Sequence, residues 1–196
     1  MPIEIEAKLS VPDLDVVRTR LRELAATPLG SVLETNTFFD SEDRSLLAAD
    51  EGLRLRKRVD VDTKETKYII TYKGARHQGQ LKSRDEVECA VENDRDAMTL
   101  LSRLGFLRVL SFEKRRESWK LGGCSVELDT LPHVGTFVEI EGPSEAAILK
   151  VRDQLNLSER PLVKASYIAL LMTHLQDRGA TVKAVTFENA QQSARG

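Results

Sequence analysis

Apolar and charged residues alternate at the start of the chain. In residues 3–9 every odd position is apolar, and the even positions hold Glu4, Glu6 and Lys8. Side chains two residues apart on a β-strand lie on the same face of the sheet. The pattern therefore predicts a strand over residues 2–9, with one charged face and one apolar face.

Similar strand patterns recur along the chain, and stretches of helical periodicity separate them. The further predicted strands are residues 32–40, 53–59, 67–73, 83–92, 108–120, 124–131 and 136–142. The predicted helices are residues 12–26, 94–104, 143–155 and 165–176. Residues 40–51 are predicted to be a polar connection with Leu46 and Leu47 turned inward, and residues 74–82 a mobile loop.

Most strands are joined by connections of hairpin length, which favours antiparallel neighbours over a doubly wound parallel sheet. The pattern predicts an α+β fold with an antiparallel sheet, open or closed into a barrel, and helices outside it. We expect a single domain over residues 1–178. Weak signals in residues 179–196 predict a C-terminal tail that is partly disordered.

Composition excludes several classes of protein. The 196 residues carry a formal net charge of -2, without the basic excess that is typical of nucleic-acid-binding proteins. No apolar run approaches the roughly 18 residues of a membrane span, and the first residues do not resemble a signal peptide. We therefore expect no nucleic-acid or membrane partner and a cytoplasmic location. Cys89 and Cys124 occupy apolar strand positions and are expected to be reduced core residues.

The charged strand faces are either solvated outer faces or the lining of a hollow. Four predicted helices are available to cover the apolar faces, which favours the second interpretation. The inward cations would be Lys8, Arg54, Arg56, Lys73, Arg84, Lys114 and Arg116. The inward carboxylates would be Glu4, Glu6, Glu86, Glu88, Glu127, Asp129, Glu139 and Glu141. Such a lining must be hydrated and must hold an ionic ligand, because unpaired buried charge is too costly.

Both signs of charge in one hollow are typical of a site for a metal-bound triphosphate. Arginine and lysine bind phosphate oxygens, whereas carboxylates without histidine or cysteine suit Mg²⁺ or Mn²⁺. Rival chemistries lack support, since the sequence contains no P-loop and no nucleophile elbow. His77, His133 and His174 are scattered and lack the spacing of metal ligands.

At this point the sequence resembles a known family. The segment from Glu4 to Lys8 is similar to the ExExK signature of the CYTH superfamily, or triphosphate tunnel metalloenzymes. This family includes class IV adenylyl cyclases, thiamine triphosphatases and inorganic triphosphatases. Further similar blocks follow in the family's order at residues 36–40, 50–56, 71–74, 84–88, 112–116, 128–129, 135–141 and 166–167. Two positions depart from the pattern, since Phe38-Phe39 stands where a tyrosine is often present and Gly52 where an alanine is common.

The resemblance implies an eight-stranded antiparallel tunnel and a set of site residues. The implied ligands of Mg²⁺ or Mn²⁺ are Glu4, Glu6, Glu139 and Glu141, with Asp129 assisting. The implied phosphate ligands are Lys8, Arg54, Arg56, Lys73, Lys114 and Arg116. Arg84 is assigned to the substrate as well, with the alternative that it stabilises the charge network together with Glu86 and Glu88. The implied catalytic set is Glu4, Glu6, Lys8, Arg56, Lys114, Arg116, Asp129, Glu139 and Glu141.

Two reactions fit such a tunnel. The blocks around Arg54, Lys73 and Glu139 favour a class IV adenylyl cyclase, which converts ATP to cAMP and pyrophosphate. The alternatives are an inorganic tripolyphosphatase, a nucleoside or thiamine triphosphatase, a triphosphate sensor without turnover and a silent barrel. Members of the family are often homodimers, although the sequence indicates no interface.

Overall fold

The computed structural model describes residues 3–79, 81–180 and 182–193. Its strands are β1 (Ile3–Ser10), β2 (Thr27–Asp40), β3 (Gly52–Asp60), β4 (Thr66–Arg76), β5 (Lys82–Val91), β6 (Leu107–Leu121), β7 (Cys124–Leu131), β8 (Gly135–Glu141) and β9 (Ala184–Val185). Its helices are α1 (Leu14–Glu23), α2 (Ser45–Ala48), α3 (Asp94–Arg103), α4 (Glu145–Gln154), α5 (Tyr167–Asp177) and α6 (Phe187–Ser193). All of the predicted strands and helices are present, and α2, β9 and α6 are additional.

The first eight strands form a closed antiparallel barrel. Their order is β2-β3-β4-β5-β1-β8-β7-β6, and β6 pairs again with β2 to close the ring. The predicted α+β fold and the eight-stranded tunnel are therefore confirmed. The short strand β9 pairs in parallel with Ser111 and Phe112 of β6, where β7 leaves the edge of β6 free.

Local sequence explains where the elements begin and turn. The side chains that cap helix N-termini by accepting a backbone N–H are Asp13, Asn93, Ser144 and Ser166. Gly122 and Gly123 both have positive φ angles, of 56° and 80°. Two successive positive φ angles match the mirror-image turns that join twisted hairpin strands, so these glycines permit the tight β6–β7 connection.

Apolar outer faces of the barrel pack against helices. Helices α1 and α4 cover β1, β7 and β8, and their shared core includes the completely buried Leu9, Leu21, Val126, Ile140 and Ile148. A second cluster joins α3 to β3 through Leu53, Leu55, Ala97 and Leu101. Because apolar residues occupy the outer faces, the alternating charged residues of the same strands point into the barrel.

Helix α5 packs differently, against inward-facing residues at one end of the barrel. Phe112 and Phe137 lie on the same strand faces as the charged lining and pack with Tyr167 and Leu171. The rings of Phe137 and Tyr167 meet edge to face, with centroids 5.2 Å apart. One end of the barrel is therefore apolar inside and is filled by a helix.

Three details differ from the sequence-based expectations. Strand β2 begins at Thr27 and α1 ends at Glu23, because residues 27–31 pair with β6 through a bulge around Pro28 and Gly30. Both cysteines are free, as predicted, but Cys89 is exposed, because the cluster around α3 reaches only Val91 at the end of β5 and does not include Cys89. Leu47 is 72% exposed and does not turn into the core.

The segment after Gly179 contains both β9 and α6. Val185 is buried in the cluster around α5, and the backbone N–H of Phe187 donates to Glu113 at 2.9 Å. The guanidinium of Arg115 lies over the Phe187 ring, 4.1 Å from its centroid. Residue 2 of the first predicted strand, residue 80 of the predicted loop, and residues 181 and 194–196 of the predicted tail lie outside the described residues. No helix among the described ones has the length and apolar character to cross a membrane.

Candidate active site

The interior of the barrel is a cavity of about 1110 Å³. The predicted site residues that line it are Glu4, Glu6, Lys8, Arg54, Arg56, Lys73, Arg84, Lys114, Arg116, Glu139 and Glu141. Asp129 does not line the cavity and is completely buried. The structure thus brings together every predicted ligand except one, from strands up to 137 residues apart in sequence.

Opposite walls of this cavity carry opposite charge. Strands β5, β1 and β8 are neighbours in the ring of eight. The strands on the opposite side of the barrel, each four positions away in the strand order, are β6, β2 and β3. Among the described lining residues, the first wall contributes six carboxylates and three cations. The carboxylates are Glu4, Glu6, Glu86, Glu88, Glu139 and Glu141, and the cations are Lys8, Lys82 and Arg84. The second wall contributes Arg54, Arg56, Arg58, Lys114 and Arg116 to that lining, and its one carboxylate among the described lining residues is Asp40, at the end of β2. We call these the acidic wall and the basic wall.

Lysine side chains partly neutralise the acidic wall. Lys73 Nζ lies 2.6 Å from Glu4 Oε2 and 3.0 Å from Glu86 Oε2. Lys82 Nζ lies 2.5 Å from Glu6 Oε1, and this lysine was not assigned to the site from the sequence. Lys82 lies two residues before Arg84 on β5 and therefore on the same face of the strand. Extending the alternation of the predicted strand back to residue 82 would have identified it.

The pKa values of the acidic wall reflect the limited number of cations. Burial raises the pKa of Glu86 to about 7, and its hydrogen bond with Glu4 acts in the same direction. Burial alone would raise the pKa of Glu4 too, but Lys73 outweighs it and lowers that pKa to about 2. Burial and the nearby charge of Glu4 raise the pKa of Glu141 above its ordinary value. A proton shared by Glu4 and Glu86 is typical of crowded carboxylates.

A buried carboxylate that the sequence analysis missed supports the basic wall. Glu34 on β2 is completely buried, and its carboxylate lies 3.2 Å from Lys114 Nζ and 3.5 Å from the Nε atoms of Arg56 and Arg58. Burial alone would raise the pKa of Glu34, but Lys114 and Arg56 hold it well below its ordinary value. Glu34 lies two residues before Asn36 on β2, so the alternation of this strand could have predicted that both side chains point inward.

Asp129 has a similar supporting position, which does not fit the prediction that it assists a metal ion. Its two carboxylate oxygens accept hydrogen bonds from Arg116 Nε at 2.7 Å, from Lys114 Nζ at 3.2 Å and from the Tyr167 hydroxyl at 2.8 Å. With these donors around it and no contact with the cavity, Asp129 positions cations. The metal prediction is thereby reduced to the four glutamates of β1 and β8.

Two arginine donors in the lining have no hydrogen-bond acceptor among the described residues. They are the buried Nε atoms of Arg54 and Arg84. Burial and the neighbouring charge of Arg56 lower the pKa of Arg54 to about 10, so this guanidinium stays protonated at neutral pH. Buried donors normally have acceptors, so these two atoms fit a site for an anionic ligand.

The acidic wall fits a hard divalent cation in its donor chemistry. Carboxylate oxygens are the ligands of Mg²⁺ and Mn²⁺, and Glu141 has no ion-pair partner among the described residues. Yet no three His, Cys, Asp or Glu side chains of the described chain converge into a formed metal site. Lysine ammonium groups lie between the carboxylates instead, so metal binding requires these side chains to move.

The cavity also has an apolar region next to α5. The rings of Phe38 and Phe112 stack with centroids 5.8 Å apart and an interplanar angle of 13°. Val109, Ile168 and Met172 line the cavity beside them. This region suits an organic group better than it suits phosphate.

Comparison with known proteins agrees with this geometry. The model of the CYTH domain matches residues 2–167. The chain belongs to the CYTH family. CYTH proteins act in general on triphosphates and depend on divalent metal ions.

Individual CYTH relatives match almost the whole chain. A Methanocaldococcus jannaschii protein with the provisional name adenylate cyclase is 25% identical over 177 residues, which are 86% of this chain and 98% of that protein. A solved structure from Pyrococcus horikoshii is 26% identical, covers 87% of this chain and 99% of its own, and has a TM-score of 0.76. A Hippeastrum protein shares the fold at 17% identity and a TM-score of 0.62, covering 91% of this chain and 97% of its own. That protein is provisionally called an adenylyl cyclase and is described as having a dominant triphosphatase activity.

We predict that Glu34→Gln destabilises the protein by about 3–5 kcal/mol at pH 7, because it leaves buried cations uncompensated. The low folded-state pKa of Glu34 stabilises the protein above the ordinary value of 4.5, and this contribution is lost as the pH falls below that value. The difference from the wild type should therefore shrink on acidification. Urea denaturation at pH 7 and at pH values below 4.5 measures both effects.

The matched control for this variant is Glu65→Gln, which removes a carboxylate from the exposed pair with Lys67. Its cost should stay within about 1 kcal/mol, as for other surface pairs. Equal stability of the two variants would contradict a supporting role for Glu34.

Proposed function

We propose that this protein is a divalent-metal-dependent enzyme that binds a nucleoside triphosphate in the tunnel and acts as an adenylyl cyclase. The observation that carries the proposal is the pair of opposed walls, one acidic and one basic, around a single cavity. A metal-bound triphosphate is a ligand with both signs of charge. It therefore complements both walls at once.

The basic wall provides most of the phosphate contacts. Arg54 on this wall and Arg84 on the acidic wall each present a buried Nε that lacks an acceptor among the described residues, and Arg56 lies beside Arg54 on β3. Guanidinium groups bind phosphate oxygens through paired hydrogen bonds. Lys114 and Arg116 are held from behind by Glu34 and Asp129, so their positive charge is fixed at the wall. Fixed charges lose little free energy to reorganisation during phosphoryl chemistry.

The acidic wall provides the proposed metal ligands, which are Glu4, Glu6, Glu139 and Glu141. Glu139 already pairs with Lys8 at 3.2 Å and with Arg116, whereas Glu141 has the least compensated charge. A divalent ion bound there would neutralise phosphate charge and polarise a phosphoryl oxygen.

The apolar region favours a nucleoside triphosphate over inorganic tripolyphosphate. Phe38 and Phe112 line the cavity, and Arg54 lies directly across from Phe38 on the neighbouring strand. A planar base can pack against such rings while its phosphates reach the arginines. An inorganic chain would leave this surface uncovered.

In the proposed reaction the ribose 3′-oxygen forms a bond to the α-phosphorus, and the bond from that phosphorus to the bridging oxygen of pyrophosphate breaks. The 3′-hydroxyl proton leaves to solvent. The chain's arginines orient the triphosphate and stabilise the negative charge of the departing pyrophosphate. The provisional name of the Methanocaldococcus jannaschii relative agrees with this reaction.

Hydrolysis of a nucleoside triphosphate is the second candidate, because water can attack a phosphorus in the same cavity. The activity described for the Hippeastrum protein of the same fold supports it. Both reactions use the same phosphate and metal ligands, so the residues at the two walls do not discriminate between them.

The test of the proposed function is the identity of the products. The protein is incubated with ATP and Mg²⁺ or Mn²⁺, and we expect cAMP and pyrophosphate in equal amounts, with no product in EDTA. Orthophosphate and ADP without cAMP would reject the cyclase in favour of the triphosphatase. Metal-dependent binding of ATP without any product would support a sensor instead.

We expect Glu141→Gln to lower kcat by about 100-fold or more, which corresponds to about 2.7 kcal/mol of transition-state stabilisation. The variant keeps the size of the side chain but loses a negative ligand from the acidic wall. Glu159→Gln, at an exposed position, is the control and should retain full activity. Activity of Glu141→Gln equal to that of the control would remove Glu141 from the metal ligands.

Arg54→Met should weaken binding of a non-hydrolysable ATP analogue by about 10- to 100-fold, because a charge-assisted hydrogen bond contributes roughly 1.5–3 kcal/mol. Isothermal titration calorimetry measures the affinity. Arg108→Met, on the exposed part of β6, is the matched control and should bind like the wild type. The assignment of Arg54 to phosphate is wrong if both variants bind the analogue equally well.

A further inference from the structure

The strand register places Lys82 directly beside a proposed metal ligand. Glu6 of β1 is the Cα partner of Lys82 on one side and of Glu141 on the other. Lys82 Nζ lies 2.5 Å from Glu6 Oε1, and the two side chains are only 13% and 8% exposed. This ion pair is therefore enclosed in the cavity and is fixed by the pairing of β1 with β5.

Lysine ammonium groups compete with a metal ion for the carboxylates on this wall. Lys73 holds Glu4 and Glu86 at 2.6 and 3.0 Å, in the same way that Lys82 holds Glu6. The ammonium group of Lys82 offsets the negative charge of Glu6 and repels a divalent cation at the same carboxylate. A metal ion therefore binds Glu6 more strongly once Lys82 has moved away.

The triphosphate offers the displaced lysine a new partner. A lysine side chain has four rotatable bonds and a single charge at its end, so it can turn from a carboxylate to a phosphate without a change of backbone. Both Lys82 and the phosphate-binding Arg84 line the same cavity. The exchange leaves every charge paired, since the metal ion takes the carboxylate and the phosphate takes the ammonium group.

We propose that Lys82 is an exchangeable counter-cation that occupies Glu6 in the free protein and transfers to the triphosphate when the metal ion binds. Metal and triphosphate then bind with positive coupling, and the free protein has low affinity for the metal alone. This inference rests on the proposed function, because it assigns a role within the same site. It makes Lys82 a positioning residue for the metal and a ligand of the substrate.

The first experiment measures Mn²⁺ binding to the protein without nucleotide, by electron paramagnetic resonance of free Mn²⁺. Lys82→Met should bind Mn²⁺ about tenfold more tightly than the wild type, a factor within the usual range for linked sites. Lys67→Met is the matched control, because it removes a lysine from an exposed lysine–glutamate pair. It should leave Mn²⁺ binding unchanged.

The second experiment measures binding of a non-hydrolysable ATP analogue at saturating Mn²⁺ by calorimetry, because Lys82 leaves Glu6 for the phosphate only when the metal ion is bound. Here Lys82→Met should bind about tenfold more weakly than the wild type, since a phosphate contact is lost. The two effects have opposite signs. A merely structural role of Lys82 would weaken both ligands, so the sign of the Mn²⁺ effect is decisive.

Unchanged or weaker Mn²⁺ binding by a folded Lys82→Met protein would overturn the proposal. Lys82→Gln keeps a hydrogen-bond donor for Glu6 and gives the same test if the methionine variant does not fold, as judged by circular dichroism. Failure of the proposed function gives a different result. In that case the wild type would not bind Mn²⁺ even when the ATP analogue is present at saturating concentration.

Discussion

Lys114 lies between the carboxylates of Glu34 and Asp129, 3.2 Å from each, and the rest of the tunnel depends on ion pairs of this kind. A closed barrel whose strands alternate between apolar and charged residues must place one set inside. Here the apolar set faces the outer helices, so the charges are enclosed and need partners. Removing one partner from such a pair costs more than the pair contributes, because the remaining charge stays buried.

The charges on the two walls of the tunnel are held in place in different ways. Behind the basic wall, Glu34 and Asp129 fix the cations from positions that have no exposure to the cavity. On the acidic wall the partners are flexible lysines in the cavity itself. The difference suits the two roles, because phosphate binding benefits from rigid donors whereas metal binding needs carboxylates that can be released.

Residues 3–9 predicted a strand with one charged and one apolar face, because alternation is a local property, whereas closure of the sheet into a tunnel was implied by the resemblance to the CYTH family. The same alternation predicted which lysines and arginines point inward, and all seven of the predicted side chains line the cavity. The roles of Glu34 and Asp129 could not be predicted, since they depend on the register between strands far apart in sequence. The prediction that Cys89 is buried was wrong, because alternation along a strand gives the face on which a residue lies but not whether a helix covers that face.

The register between β2 and β3 also places the proposed phosphate-binding arginines in a row that starts at the aromatic rings. Arg54 lies across from Phe38, Arg56 across from Asn36, and Arg58 across from Glu34. A base held at the aromatic rings would place its α-phosphate near Arg54 and the later phosphates towards Arg58. Cyclisation requires attack at the α-phosphorus, whereas release of orthophosphate requires attack at the terminal phosphorus. The two reactions then differ only in which position along this row of arginines the nucleophile reaches. A cyclase and a triphosphatase can therefore share these walls, and the choice between them depends on how firmly the apolar region holds the ribose against the α-phosphorus.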